Sequence, residues 1–439
     1  MKNFASQNKL ILNNYFNEKL ISRSLLIIEK LISFLITAFM ANRLSFSDIG
    51  FWSQALFSAS LFTSIVGFNI SNGIIAIVPR IKVSDQKYEF IFKSGLFVFI
   101  LGIIFCLTLT VLKDFVSNFL FNYNLSLNIF LTILIIGFSE LLLEFFLYSY
   151  RSVRNFSFSN YILLLRILPR IGLFLGILEN NINLILYLYS GIYLCSCLFI
   201  SFIIYGYNRI NVFLLINNLF NNFSLLSPKP YFKSLFLLSK KSVLATITAS
   251  LFFFLIRSIT LSNIGLGGVG EFSLAISAGA TILSLTTFIG FTFYPYISNL
   301  AIKNKDLAFI KTRKLELKII FTSLSIALIL LIIKNTLKGN LDFYPFTVNS
   351  VDLILSFLGY GFLGAYQISQ PFAFSLTDNI NVFKIEILSS LIAIGLIGLI
   401  VIGGNFSINI AMLSFCVYTF CNYLQANHRN FKILKGLSH

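Results

Sequence analysis

Gly50-Phe51-Trp52-Ser53, followed beyond Gln54 by Ala55-Leu56-Phe57-Ser58-Ala59-Ser60, returns 220 residues later. The second copy is Gly270-Glu271-Phe272-Ser273, followed beyond Leu274 by Ala275-Ile276-Ser277-Ala278-Gly279-Ala280. Val66-Gly67-Phe68 and Pro79 correspond more loosely to Ile289-Gly290-Phe291 and Pro295. An offset of 220 in a chain of 439 residues divides it in half, so the fold is expected to be built twice from one plan.

The surroundings of both copies say what that plan is made of. The chain is 57% hydrophobic and only 11% charged, with 51 Phe against a single Trp and a mean hydropathy of +0.87. Soluble chains carry about 25% charged residues, so this surface is expected to face lipid. Apolar runs long enough to cross a bilayer fall at 24–42, 50–78, 92–112, 126–149, 160–178, 183–205, 236–262, 272–299, 319–333, 348–376, 381–403 and 405–426. None alternates apolar with polar residues as a barrel strand would. The reading is an all-α polytopic membrane protein of about 12 transmembrane helices, in two six-helix bundles around a central cavity. Residues 1–205 form the first bundle, 206–235 a cytoplasmic linker rich in Asn with Pro228 and Pro230, and 236–439 the second. Six is even, so the copies share an orientation, and a parallel repeat places its substrate site between them.

The formal charge of +17 fits this topology. With the N-terminus in the cytoplasm, 25 of the 33 Lys and Arg residues fall inside, four outside (Arg43, Lys113, Lys334, Lys338) and four within spans. Basic residues retained on one side orient a membrane protein, which removes the need for a nucleic-acid partner. Both termini are then cytoplasmic, and no cleavable leader is expected. The five cysteines all lie in apolar runs and the two histidines, His428 and His439, in the tail. That pattern gives neither a disulfide framework nor a metal site. No cofactor motif is present, and the Gly-x-x-x-x-Gly-Lys-Ser/Thr loop that a nucleotide-driven exporter requires is missing.

Arg43-Leu-Ser-Phe-Ser-Asp-Ile-Gly-Phe-Trp-Ser53, through Val66-Gly-Phe-Asn-Ile-Ser-Asn-Gly73 to Pro79-Arg80, resembles the first two helices of the Wzx-type O-antigen and polysaccharide flippases. Ile256-Arg-Ser-Ile-Thr-Leu261 and Gly265-Leu-Gly-Gly-Val-Gly-Glu-Phe-Ser-Leu-Ala275 resemble their seventh and eighth helices. That family belongs to the multidrug/oligosaccharidyl-lipid/polysaccharide exporter superfamily. The resemblance implies a bacterial inner-membrane flippase. It would move an undecaprenyl-pyrophosphate-linked oligosaccharide to the periplasmic leaflet by alternating access, coupled to an ion gradient and without being an enzyme. It also implies a polysaccharide polymerase and chain-length proteins as partners beside membrane lipid. Two other classes stay in view. An O-antigen polymerase would carry long outside loops with arginines, whereas the long polar connections here are the inside ones. A drug/cation antiporter of the same superfamily would favour an acidic cavity.

Ionisable groups within a bilayer cost about 2.5 to 3.5 kcal/mol each, so they normally face a cavity or a partner. Glu29 and Lys30 lie in span 1, Glu140 and Glu144 in span 4, Arg166 and Arg170 in span 5, and Arg257 in span 7. Glu140 and Glu144 share one helical face and Arg166 and Arg170 another. Matched depth predicts a rung-by-rung ion ladder between the two helices, either a structural clip or a coupling device, with Pro169 able to turn one arginine toward the cavity. Arg257, with no acidic residue within a turn, is the foremost cationic site, because a guanidinium holds phosphate through two parallel hydrogen bonds. Asn69 and Asn72, with Gln367 and Gln370, are amides for sugar contact or for interhelical bonding.

Overall fold

The computed structural model describes residues 21, 24–25, 27–67, 74, 78, 81, 84–153, 155–207, 230–336, 344–345, 347–376, 382–404 and 406–436. Among them run thirteen helices: α1 over 27–43, α2 Phe46–Gly67, α3 Ser84–Val111, α4 Lys113–Phe121, α5 Leu127–Ser152, α6 Phe156–Leu178 and α7 Ile182–Tyr207. They continue with α8 Pro230–Ile264, α9 Leu266–Lys303, α10 Lys305–Thr336, α11 Ser350–Leu376, α12 Val382–Ile402 and α13 Ile408–Leu434. Twelve are long and match the twelve expected spans in order. Ten are both long and apolar enough to cross a membrane. The fold is all-α and polytopic, as the hydropathy requires.

Short polar side chains start these helices by accepting the first free backbone N–H groups. Ser45 accepts from Asp48 N at 3.2 Å while its hydroxyl donates to the Asp48 carboxylate at 2.6 Å. Asn155, Asn304 and Asn349 accept from Phe158, Leu307 and Val351 at 3.1, 2.9 and 3.1 Å. Gly265, with φ of 86°, makes the reversal between α8 and α9 that a side chain would resist.

The chain forms two compact units, one of residues 1–32 and 55–246, the other of 33–54 and 247–439. In the first, α5 is central and packs on α3, α6 and α7. There a Cβ on Gly137 would lie 2.9 Å from the Ala59 carbonyl oxygen, and Thr63 Oγ1 donates to the Gly137 carbonyl at 3.2 Å. In the second, α11 is central and packs on α9, α10 and α13. Here a Cβ on Gly279 would lie 2.7 Å from the Ser356 backbone, and Ser356 Oγ donates to the Ala275 carbonyl at 2.5 Å. Moving 220 residues along carries Ala59 to Gly279 and Gly137 to the neighbour of Ser356. The same close crossing is thus built in each unit, and the repeat read in the sequence is a structural one. Small residues at such crossings let helices meet where lipid gives no hydrophobic drive.

Two boundaries differ from expectation. The ninth span, read as 319–333, is the middle of a 32-residue helix. Its first turns, Lys305 to Lys318, are too charged to register as a span yet remain good helix formers. The expected second span runs on to residue 78, and most of its part beyond Gly67 lies outside the described residues. Between α3 and α5 the expected loop contains α4, which ends at Asn122 in the left-handed region and is tied by Lys113 Nζ donating to the Leu125 carbonyl at 2.9 Å. Large apolar side chains such as Val111, Phe202 and Leu399 stand open, at 86%, 78% and 76% exposure. A surface of that kind is stable in lipid and not in water.

Candidate functional site

In the first unit the intramembrane charges meet differently from the expected ladder. Arg170 pairs with Glu29: its Nη2 donates to Oε1 at 2.9 Å, and its Nη1 donates to the Glu29 backbone carbonyl. Both side chains are deeply placed, at 16% and 4% exposure. Among the described residues no ion pair joins Glu140 or Glu144 to either arginine; Arg166 lies within electrostatic reach of Glu29, Glu140 and Glu144 without touching them. The reason is three-dimensional: α1 supplies a carboxylate and a carbonyl together, so one guanidinium satisfies two acceptors there. Lys30 is exposed and makes no ion pair among the described residues, although it lies within electrostatic reach of Glu29, Glu140 and both arginines. Tyr189 and Tyr193 on α7 pack their rings 5.0 Å apart beside this charge cluster.

In the second unit the repeat motif itself forms a site. Arg257 of α8 donates from Nη1 to Ser53 Oγ at 3.2 Å, and Ser273 Oγ donates to the same oxygen at 2.8 Å. Ser53 in turn donates to the Gly50 carbonyl at 3.0 Å. The Arg257 guanidinium lies over the Phe272 ring, 6.0 Å from its centre, a favourable cation–π placement in a desolvated setting. Next to the serines the two helices touch through backbone. A Cβ on Gly50 would come within 1.9 Å of the Leu266 carbonyl oxygen, and one on Gly270 within 2.0 Å of that of Phe46. Arg257 is therefore anchored inside the packing rather than extended along the surface, with its charge held at a fixed point by a hydroxyl and an aromatic face.

The amides divide. Gln370 accepts from Arg429 Nη2 at 3.2 Å, while Gln367, one turn earlier on α11, is exposed. Asn69 and Asn72 lie outside the described residues. Sequence reasoning passed over a further buried carboxylate. Glu386 of α12 accepts at Oε1 from Tyr366 at 3.3 Å, and at Oε2 from Tyr418 and from Asn422, the latter at 3.4 Å. Glu386 follows Lys384 by two residues at a span end, which makes it look like an interfacial charge. Tyr418 and Asn422, four apart on one face of the last span, were the available signal. Glu316 was passed over likewise, inside the charged start of α10, where it takes an ion pair from Arg313 at 2.9 Å; Arg313 also donates to Tyr423 at 3.0 Å. Among the described residues no three His, Cys, Asp or Glu side chains gather as a metal site would require.

The arrangement offers fixed cationic donors inside apolar helix packing, which suits recognition of an anionic group within a membrane. No family model matches the sequence, and no curated protein does. Solved structures do. The chain is similar to the lipid II flippase MurJ in an inward closed conformation, at 14% identity with a TM-score of 0.63, covering 97% of this chain and 89% of that one. A MOP superfamily transporter from Pyrococcus furiosus, described with a binding pocket of reverse polarity, is similar at 13% identity and a TM-score of 0.60, over 95% and 96% of the two chains. A point mutant of the Vibrio cholerae MATE transporter VcmN is similar at 13% identity and a TM-score of 0.59, over 98% of both chains. At such identities what is shared is the fold, and the fold is that of MATE and MurJ transporters.

Proposed function

We propose that this chain is a flippase for a lipid-linked oligosaccharide, carrying an undecaprenyl-pyrophosphate-linked O-antigen or related unit from the cytoplasmic to the periplasmic leaflet by alternating access. The observation that carries the reading is Arg257. A half-buried guanidinium, held by Ser53 and lying over the Phe272 ring, supplies positive potential that favours a diphosphate and repels a drug cation. The engagement of Glu29 by Arg170 supports the same choice, because it leaves that carboxylate neutralised rather than offered to a cation. The fold shared with a lipid II flippase adds support of a general kind. Ion-gradient coupling, residence in a bacterial inner membrane with both termini cytoplasmic, and association with polysaccharide polymerase and chain-length proteins belong to this reading. Arg166 and the exposed Gln367 are the further residues assigned to substrate contact.

The test is export of surface polysaccharide in a strain lacking its own flippase, at matched protein levels. Arg257→Lys keeps the charge and loses the planar fork, and Arg257→Ala loses both, so export falls in the order Arg, Lys, Ala. Full export from Arg257→Ala would refute the assignment.

A further inference from the structure

At the far end of the second unit from Arg257, the last turns of α13 present a second cation in a different setting. By the alternation of six helices, this end is the one that the basic-residue count assigns to the cytoplasm. Arg429 Nη2 donates to Gln370 Oε1 at 3.2 Å and to Asn430 Oδ1 at 3.4 Å, and Asn430 Nδ2 donates to the Ser369 carbonyl at 3.0 Å. These bonds fix the plane of the guanidinium against α11. Its remaining groups, Nε and Nη1, are buried with no acceptor among the described residues, and so is the amide nitrogen of Gln370. The buried carboxylates of this unit have partners of their own: Glu386 takes Tyr366, Tyr418 and Asn422, and Glu316 takes Arg313 at Oε2. No ion pair reaches Arg429 among the described residues; Tyr366 is the titratable side chain that acts on it.

Three buried donor groups converge here without a counter-charge. A buried guanidinium left that way is costly, and a partner that supplies several oxygens at once removes the cost. We propose that Arg429 and Gln370 form a binding site for a phosphate-type oxyanion, with one oxygen on the guanidinium edge and another on the Gln370 amide. The unmet groups of Arg429 and Gln370 are all donors, which favours an anion over a cation. With Nη2 taken by Gln370 and Asn430, the arginine offers the anion one charge-assisted bond and the Gln370 amide a second. Pro371, inside α11 next to Gln370, removes one backbone N–H from the helix and loosens that turn, so Gln370 can swing to admit the anion. Lys432 on α13 and Lys435 at its C-cap follow and raise the local concentration of anions. The chemistry is shared by the phosphate of a membrane lipid head group and by free phosphate.

The full chain, purified in non-ionic detergent, is titrated with inorganic phosphate in one arm and with phosphatidylglycerol in mixed micelles in the other. Both arms run at an ionic strength fixed with chloride, and are read by calorimetry and by the thermal unfolding midpoint. Wild type is expected to bind in at least one arm. Arg429→Gln should weaken that binding tenfold or more, Arg429→Lys less, and Gln370→Leu several-fold. Binding only in the phosphate arm assigns a free anion, and binding only in the lipid arm a head group. The proposal is overturned if neither ligand binds above chloride, or if Arg429→Gln binds as wild type does. Should Arg429→Gln fail to fold, Arg429→Lys and Gln370→Leu decide, and unchanged affinity in both overturns it. Polysaccharide export is not the readout, so this result is separate from the one at Arg257.

Discussion

Ser53 and Ser273 occupy the same position in the two halves of the sequence, and they hydrogen-bond to each other at 2.8 Å. Arg257 donates into the same oxygen, so the point where the repeat meets its own copy is also where this half-buried cation is held.

The glycines beside those serines should tolerate nothing larger. Gly50→Ala or Gly270→Ala would drive a methyl group to about 2 Å from a backbone oxygen, and backbone cannot step aside as a side chain end can. Each is expected to destabilise by about 1–3 kcal/mol or more, seen as loss of folded protein in detergent. Gly191→Ala and Gly395→Ala, whose added methyl groups meet nothing within 4 Å, should keep the wild-type unfolding midpoint.

Ser53 accepts two hydrogen bonds, one from a charged donor, whereas Ser273 supplies only one. Ser53→Ala should therefore cost about 1–3 kcal/mol, the range for leaving a buried donor unmet. Ser273→Ala should cost less, because Arg257 keeps its acceptor. Equal unfolding midpoints for the two variants would contradict this ordering.

Glu29 and Arg170 are a buried pair. Removing one partner strands the other, at about 3–5 kcal/mol, whereas removing both does not. Glu29→Leu with Arg170→Met should retain more folded protein than either single change. Glu140→Gln and Glu144→Gln should each be milder than Glu29→Gln, since neither carboxylate makes an ion pair among the described residues.

Tyr418 serves Glu386 with its hydroxyl and stacks its ring on Phe252 at 4.1 Å. Tyr418→Phe removes only the first, at about 1–3 kcal/mol. Tyr418→Leu should lose about a further 0.5–1.5 kcal/mol with the stacking. Midpoints that do not separate the two variants would mean that the ring contact adds no stability.

Most of the helices were legible because lipid imposes one simple demand, about 20 apolar residues in a row. α10 shows where that rule stops: its apolar centre could be read, but the turns from Lys305 to Lys318 are too charged for hydropathy to mark them as helix. The halves were legible from Gly50-Phe-Trp-Ser53 and Gly270-Glu-Phe-Ser273, yet nothing in a repeat says that its copies touch. The partner of Arg170 was misread for a related reason. Depth and four-residue spacing fit Glu140 and Glu144 as well as Glu29, and only the packing of α1 against α6 selects among them. Arg257 could be singled out by its isolation among apolar residues, whereas Arg429 was hidden among the basic residues that mark a membrane face.

The contact between Gly50 and Gly270 has a bearing on ancestry. If each half were a separate polypeptide, the same patch would face itself across a two-fold axis, as in the isologous interface of a symmetric dimer. Such a patch must be self-complementary, and two glycines with a serine one turn on meet that condition by having no bulk to collide. Duplication and fusion would keep the interface while freeing the two copies to diverge. Glu271 against Phe51, and Arg257 against Thr37, then mark places where one copy acquired chemistry that its twin lacks.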